Sequence, residues 1–397
     1  MKTKPIYLLL ILAVIVIIPG CTKYELGNPS ASTVAEFSYS ATNSAKAPCE
    51  VAFTNESLNA AGYYWDFGNG QTSTEANPVI QYDTPGLYTV TLTCTPVNDV
   101  YYNSLVKTIV LNIKDPNAGR TQVLYFTTRG SQNGGVHYVI LSDSTRTVQD
   151  FPDLVPLPRP YGICVDTTNM KVYVADYSIN TIYRFNADGT EPLKILDGAV
   201  AGQEMCDSPQ GLMVVGDKLY WGSPGGIFRC NLDGSNPENY NPAIEYPLDM
   251  HWDSFNNKIR LVNDHDSYSG GYFEMNFDGT GLSESIPDID GTAIDVNVDA
   301  GKVYIAGYAA EGTAMPENGI YMSNLDGTQL SKIGEYGSKA TWGIAIDNKR
   351  NKLFWGVKNS NSNPDGKIVR SNLDGSGLED FVTNVSPHAM QIAWIKL

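Results

Sequence analysis

The sequence predicts an all-β protein with a β-sandwich followed by a six-bladed β-propeller, and a repeated four-residue phrase carries most of this prediction. The phrase reads Asn-x-Asp-Gly, and its copies begin 45, 45, 48 and 48 residues apart. A fixed period of this size indicates stacked structural repeats. An Asp-Gly pair between apolar runs is a hairpin signal, because glycine tolerates the positive φ of a tight turn. The repeat therefore consists of strands, and its five copies are residues 186–189, 231–234, 276–279, 324–327 and 372–375.

Each repeat contains further short apolar strands around this turn. A strand rich in aromatic residues precedes the turn, as in residues 172–176 and 219–222. Another apolar strand comes earlier, as in residues 162–166, and one more follows the turn, as in residues 193–196. Four strands in about 45 residues are typical of one blade of a β-propeller.

The two ends of the repeat region complement each other. Residues 123–126 and 137–141 look like the second and third strands of a blade that lacks its first strand, whereas residues 390–394 form a first strand with nothing after it. Pairing the last strand with the first blade would close the ring and remove two exposed sheet edges. This predicts six blades over residues 119–397.

These repeats resemble the YWTD repeats of the low-density-lipoprotein-receptor type of six-bladed propeller. That pattern combines a Gly-Ile-Ala-x-Asp strand, a Tyr-Trp-Thr-Asp strand and an Arg-x-Asn-Leu-Asp-Gly turn. The chain carries Tyr220-Trp221, residues 182–184 before its first turn and residues 368–370 before its last, but the Tyr-Trp-Thr-Asp phrase is never intact. The resemblance implies a fold and says little about a ligand.

The N-terminus predicts export and lipid attachment. Lys2 and Lys4 precede an apolar run over residues 6–18, which is shorter than the ~20 residues of a spanning helix. Gly20-Cys21 resembles a bacterial lipoprotein processing site, which implies a signal peptide over residues 1–20 and an acylated Cys21. The alternative is an unmodified Cys in an ordinary cleaved signal.

The lipoprotein resemblance implies a bacterial cell-envelope protein attached to the membrane through its lipid. Thr22 is not the Asp that commonly retains lipoproteins at the inner membrane, so the outer membrane is favoured. Whether the protein faces the periplasm or the outside stays open. Residues 21–31 are polar and turn-prone, and we interpret them as a tether.

Residues 32–114 predict the sandwich. Val90 and Leu92 alternate with Thr, and Trp65 and Phe67 alternate in the same way, which is the pattern of half-buried strands. Together with the Gly-Asn-Gly turn that follows Phe67, these residues resemble a polycystic-kidney-disease (PKD) domain, an immunoglobulin-like β-sandwich. Such modules serve as spacers or as adhesive and carbohydrate-associated domains. The copy departs from the family in having Asn69 where Asp is usual.

Charge and cysteines restrict the function further. The net charge is −16 and becomes about −18 without Lys2 and Lys4, which argues against nucleic acid as a partner. No cysteine has metal-ligand spacing, and we expect no metal and no cofactor. Cys49 and Cys94 share the apolar parity of their strands, so a disulfide across the sandwich is a candidate.

The candidate ligand site lies at one mouth of the propeller channel, where the innermost strands begin. Counting along the repeats places Asp249 and Asp295 at the same ring position, with Asn297 deeper. Aromatic rings beside Asp and Asn suit sugars, which stack their C–H faces and hydrogen-bond through their hydroxyls. The alternative is that both carboxylates only bind water and that Trp342 packs the blade. The beginning positions are Tyr161, Gln210, Leu248, Ile294, Trp342 and His388, and the long loops nearby add Asp264, His265, Asp266, Tyr268, Tyr308 and Asn359.

Three functions remain after these observations. The favoured one is a non-enzymatic, lipid-anchored binding protein whose PKD module spaces a propeller that captures a glycan, peptide or protein. The second is an enzyme resembling metal-dependent gluconolactonases, with Asp249, Asp295 and Asn297 as metal ligands. Four histidines and the lack of Gly-x-Ser-x-Gly and His-Glu-x-x-His motifs make acid–base machinery hard to assemble. The third is a purely structural or adhesion protein of the envelope.

Overall fold

The computed structural model describes residues 32–97, 103–129, 134–153, 155–263, 270–308, 314–335, 340–358 and 366–397. Within these ranges the structure is all-β apart from one short 3-10 helix, Thr42–Ala45, and no helix is long and apolar enough to cross a membrane. The chain divides into two compact units, Met1–Ala118 and Gly119–Leu397. The predicted signal peptide, Cys21 and the tether lie outside the described residues.

The first unit is an immunoglobulin-like sandwich of two antiparallel sheets, with strand orders β1-β2-β5 and β4-β3-β6-β7. Its strands are β1 (Phe37–Ala41), β2 (Cys49–Asn55), β3 (Ala60–Asp66), β4 (Thr72–Ser73), β5 (Val79–Tyr82), β6 (Gly86–Pro96) and β7 (Leu105–Ile113). Trp65, Phe67, Val90 and Leu92 are fully buried between the sheets. The alternation in the sequence therefore identified the core correctly, because side chains on one face of a strand recur every second residue.

The turn after Phe67 explains the Gly-Asn-Gly phrase. Gly68 has a φ of +71°, and a Cβ there would lie 2.7 Å from the carbonyl oxygen of Thr89. Asn69 Oδ1 accepts the N–H of Gln71 at 3.0 Å. The Asn that departs from the family pattern thus helps to close the turn, as Asx side chains commonly do, together with Asp66 Oδ1, which accepts the N–H of Gly68 at 2.9 Å.

The candidate disulfide between Cys49 and Cys94 is wrong, since both residues are buried free thiols. Cys49 begins β2, whereas Cys94 Sγ lies 3.2 Å from Ser57 Oγ, just beyond the other end of β2. Six residue steps along a strand cover about 20 Å, and a disulfide tolerates no more than about 7 Å between Cα atoms. The two thiols therefore lie on apolar faces at opposite heights of the sandwich.

The second unit is a β-propeller of six four-stranded antiparallel sheets. We number the blades in chain order and give each from its innermost strand outward. Blade one is β31 (Pro387–Ile395), β8 (Thr121–Thr128), β9 (Gly135–Ile140) and β10 (Gln149–Asp150), and blade two is β11 (Pro160–Asp166), β12 (Lys171–Asp176), β13 (Thr181–Asn186) and β14 (Leu193–Asp197). Blade three is β15 (Leu212–Val215), β16 (Lys218–Ser223), β17 (Gly226–Asn231) and β18 (Glu238–Asn241), and blade four is β19 (Pro247–Asp253), β20 (Lys258–Asn263), β21 (Gly270–Asn276) and β22 (Ser283–Ile289). Blade five is β23 (Gly291–Asn297), β24 (Lys302–Gly307), β25 (Gly319–Asn324) and β26 (Ser331–Gly334), and blade six is β27 (Ala340–Asp347), β28 (Lys352–Lys358), β29 (Lys367–Asn372) and β30 (Glu379–Thr383).

The ring closes through the C-terminal strand, as the sequence predicts. β31 pairs antiparallel with β8, with Met390 opposite Phe126 and Trp394 opposite Gln122. β31 also contacts the innermost strands on both sides, β27 and β11. Both edges that the chain ends would otherwise leave exposed are therefore paired.

The Asn-x-Asp-Gly phrases are turns between the third and fourth strands. In the first copy, Asp188 Oδ1 accepts both the N–H of Thr190 at 3.0 Å and its hydroxyl at 2.7 Å. Gly189 has a φ of +84° and donates its N–H to the carbonyl oxygen of Asn186 at 2.9 Å. The other copies repeat this pattern, so these carboxylates serve the turn.

Candidate functional site

The register of the innermost strands decides which side chains meet in the channel. Asp166, Asp253 and Asp347 each end an innermost strand opposite a Lys and accept backbone N–H groups of the following turn. In blade five this position belongs to Asn297, which lies opposite Lys302 and accepts the N–H of Ala300 at 3.0 Å. Asn297 is therefore a turn cap, and its predicted place among the channel ligands is wrong.

The same register moves two other predicted positions. Counting back from Asn297 puts Thr292 and Ala293 where the channel begins in blade five, in place of Ile294 and Asp295. Thr292 and Ala293 accordingly line one small cavity together with Tyr161, Trp342 and His388. Asp249 and Asp295 are thus not at one ring position, because Asp295 lies two residues deeper.

We call the mouth where the innermost strands begin the upstream mouth, and the mouth where they finish the downstream mouth. The upstream mouth is nearly filled by aromatic rings. The ring of His388 lies 4.0 Å from that of Tyr161 and 4.3 Å from that of Trp342, and Tyr308 packs edge-on against Trp342 at 5.1 Å. The cavity left among them measures about 20 Å³, and Gln210 beside it is buried.

A much larger cavity of about 330 Å³ opens at the downstream mouth. Each of the six innermost strands contributes at least one buried apolar side chain to its wall: Ile163, Leu212, Met250, Ile294 with Val296, Ile344 with Ile346, and Met390. Its polar lining comes chiefly from blades four to six and blade one: Asp249, His251, Ser254, Asp295, Asp299, Asn348 and Gln391. This volume lies at the small end of the range for small-molecule sites.

Asp295 and His251 form the polar centre of this downstream cavity. His251 Nδ1 lies 2.9 Å from Asp295 Oδ1, and the two side chains are 29% and 22% exposed. Asp295 Oδ2 accepts the N–H of Ile346 in the next blade at 2.8 Å. Backbone hydrogen bonds therefore hold the carboxylate in place while part of it stays accessible from the cavity.

Asp249 lies at the boundary between the two cavities and lines both. Its Oδ2 accepts the N–H of Ile294 at 3.0 Å and its Oδ1 that of Met250 at 2.9 Å. Burial, with a smaller contribution from the charge of Asp295, raises the pKa of Asp249 to about 7, against the opposing effect of those hydrogen bonds and of His251. Near neutral pH this carboxyl can therefore both accept and donate a hydrogen bond.

The described residues do not assemble the metal site that the enzyme hypothesis requires. Among them, no group of three or more His, Cys, Asp or Glu side chains could hold a metal ion. Asn297 Oδ1 is occupied by its turn. The predicted loop residues Asp264, His265, Asp266, Tyr268 and Asn359 lie outside the described residues.

Two basic side chains that the sequence analysis did not select lie at the upstream mouth. Lys358 ends β28 and Arg129 directly follows β8. The sequence signal for Lys358 is its place directly after the run Leu-Phe-Trp-Gly-Val over residues 353–357, and the structure buries it to 3% exposure. Lysines are almost never buried to this extent without a partner.

Comparison with known proteins supports both units separately. Residues 28–110 match the PKD domain family. A 37-residue stretch, 9% of the chain, is 62% identical to the pre-pro-metalloprotease PrtV of Vibrio cholerae serotype O1 (strain M66-2), and the match spans only 4% of that protein's length.

Solved structures are similar to most of the chain. A chain in the crystal structure of a nidogen/laminin complex is similar with a TM-score of 0.55 and 15% identity, over 68% of this chain and 98% of the other. TolB from Acinetobacter baumannii is similar with a TM-score of 0.51 and 8% identity, over 78% and 80%. At these identities the likeness shows the fold alone, so the chain combines a PKD domain with a six-bladed β-propeller.

Proposed function

We propose that the propeller binds one sugar unit of a glycan in the cavity at the downstream mouth, and that the chain is a lipid-anchored binding protein of the bacterial envelope. The observation that carries the proposal is the pairing of Asp295 and His251 inside a cavity of about 330 Å³. A cavity of this size suits a sugar unit rather than a folded partner.

The lining of the cavity matches the two surfaces of a sugar ring. The ring of apolar side chains can cover C–H groups, and the carboxylates can accept paired hydrogen bonds from hydroxyls. Asp249 adds a group that both donates and accepts near neutral pH, which suits hydroxyls in either role. The three carboxyl groups of the lining, Asp249, Asp295 and Asp299, disfavour an anionic ligand here, so neutral or amino sugars are the expected class.

The remaining parts of the proposal concern how the propeller is attached to the membrane and held away from it. The PKD domain would serve as a spacer, and acylation of Cys21 would tether the chain to the membrane, with the outer membrane favoured. Several acyl chains, each contributing ~0.8 kcal/mol per buried methylene, make such an anchor durable.

The test is a ligand screen on the full-length protein in a detergent without a sugar headgroup. Saturation-transfer NMR with a panel of neutral, amino and acidic sugars identifies binders, and titration calorimetry gives their affinities. Asp295→Asn removes the charge and keeps one oxygen, which can accept the N–H of Ile346 or that of Val296 but not both. Loss of one charged contact to the ligand should weaken binding by ~1–3 kcal/mol, or about five- to a hundred-fold.

Two variants serve as controls. Glu191→Gln removes an exposed carboxylate far in sequence from the cavity lining and should leave binding unchanged. Trp342→Ala alters the upstream mouth and should also leave it unchanged. If Trp342→Ala weakens binding of the sugar while Asp295→Asn does not, the site lies at the upstream mouth and the proposal is wrong.

A further inference from the structure

Three basic side chains meet at the upstream mouth, at the opposite end of the channel from the proposed sugar site. They are Arg129 after β8, Lys358 at the end of β28 and His388 in β31. Lys358 and His388 are 3% and 5% exposed. Lys358 Nζ and His388 Nε2 are fully buried, and neither makes a hydrogen bond to any described group.

Aromatic rings fix the positions of these basic groups. Lys358 Nζ lies 4.7 Å from the centre of the Trp342 ring, and the guanidinium of Arg129 lies 5.3 Å from that of Tyr161. Arg129 Nη1 donates to the hydroxyl oxygen of Tyr161 at 2.7 Å. Cation–π contacts partly compensate the loss of water, but they do not supply an acceptor for the buried N–H groups.

The charges of these groups act on one another. Burial, together with the positive charge of Arg129, lowers the pKa of Lys358 to about 7. Burial, followed by the charges of Lys358 and Arg129, lowers the pKa of His388 well below its ordinary value. Other titratable groups also face this set: the phenols of Tyr161 and Tyr308, whose pKa values burial raises, and the carboxyl of Asp290, whose charge acts on Tyr308. Behind Tyr161 lie the phenol of Tyr177, whose ring stacks on it at 4.9 Å, and Arg159, whose charge lowers the pKa of Tyr161.

We propose that Arg129, Lys358 and His388 form an oxyanion site that binds the carboxylate or phosphate of an acidic ligand at the upstream mouth. A buried Lys358 Nζ without an acceptor is costly, and a bound oxyanion would satisfy it with charge-assisted hydrogen bonds. His388 Nε2 donates to the same anion in the tautomer that carries the proton on this nitrogen. The cavity of about 20 Å³ beside Tyr161, Trp342 and His388 has room for about one water-sized group. We place a single oxygen of the anion in this cavity beside His388, while the rest of the ligand stays at the mouth, on the side of Arg129 and Lys358.

This proposal is independent of the sugar site, because the downstream mouth favours neutral or cationic ligands and the upstream mouth favours anionic ones. The protein carries a net charge of −16, so a cluster of three basic groups contrasts with the rest of its composition. Binding an anion would also favour the charged form of Lys358. Above about pH 7, binding should therefore take up protons, up to about one for this lysine.

The experiment is titration calorimetry of the full-length protein at about pH 7.5 in two buffers with different heats of ionisation. The probes are D-glucuronate, inorganic phosphate and D-glucose. We expect glucuronate or phosphate to bind, and glucose to show no binding that depends on Lys358. Because phosphate itself ionises near this pH, the proton uptake of Lys358 is scored as the difference between wild type and Lys358→Met for the same anion. A preference between the two anions separates a carboxylate ligand from a phosphate ligand.

Lys358→Met removes the charge while keeping a long apolar side chain, and it should lower the affinity for the anion by at least about tenfold. Lys396→Met is the matched control, since it removes a lysine from an exposed position. Asp295→Asn should leave anion binding unchanged. Should Lys358→Met fail to fold, proton uptake by the wild type together with His388→Gln provides the same test. Absence of anion binding, equal binding by Lys358→Met, or binding without proton uptake would overturn the proposal.

Discussion

Asp249 offers the most direct link between the structure of the channel and a property that can be measured without a ligand. Its pKa is about 7 in the folded protein, against an ordinary value of 3.8. Below that ordinary value the carboxyl is neutral in both the folded and the unfolded chain. As pH rises between the two values, the unfolded chain releases the proton first, so the free energy of unfolding falls, and above about 7 the loss is complete.

The size of this effect follows from the shift. One pKa unit corresponds to 1.36 kcal/mol, so the shift sets an upper limit of about 4 kcal/mol, and access of water from the cavity reduces it to about 2–4 kcal/mol. Asp249→Asn removes the titration. Its amide oxygen can accept only one of the two N–H groups that Asp249 now holds, which costs about 1–3 kcal/mol at every pH.

The assay is denaturant unfolding of wild type and Asp249→Asn between about pH 4 and pH 8, following the transition of the propeller. The stability of the variant relative to wild type should rise by about 2–4 kcal/mol across this window. A flat or falling difference for Asp249→Asn would refute the assigned burial of this carboxyl.

Three further predictions concern the architecture and the anchor. Deleting Met390 onward removes most of β31 and exposes the edge of β8, so the truncated propeller should lose most of its stability in thermal unfolding; melting like the parent would contradict ring closure. Cys21→Ser should abolish detergent-phase partitioning if that residue carries the lipid, and unchanged partitioning would exclude it. When the protein is denatured without reductant and treated with a thiol reagent, both Cys49 and Cys94 should be modified fully, whereas protection of the pair would indicate a disulfide between them.

The sequence was sufficient for the fold because its strongest signals are local and repeated. The Asn-x-Asp-Gly turns depend on a positive φ and on side chains two residues away, and both requirements are visible in a short phrase. Ring closure was also predictable, because a blade without a first strand and a first strand without a blade fit together. Alternation in β3 and β6 identified the sandwich core for the same local reason.

The site was less predictable because it depends on register and height. Blade five has Asp295 and Asn297 two residues apart, and its strand ends in Asn where three other blades have Asp. Aligning Asp295 with the beginning of the strand therefore placed it two residues too shallow. The same kind of error produced the disulfide prediction, since parity says which face a thiol occupies but not how far along the strand it lies.

The choice of mouth could not be made from sequence. Whether aromatic side chains line an open cavity or fill it depends on packing across blades that are distant in the chain. Tyr161 and His388 lie more than two hundred residues apart, yet their rings are 4.0 Å apart and close most of the upstream mouth. This leaves the larger cavity at the other end.

Carbon-13 NMR of the aspartate side-chain carboxyls, recorded while a sugar identified in the screen is titrated in, tests the proposed site most directly. The account predicts that the resonances of Asp249 and Asp295 both shift and saturate with the affinity measured by calorimetry, because both carboxyls line the downstream cavity. If the sugar binds while both resonances stay unmoved, the ligand lies elsewhere and the downstream cavity is not the binding site.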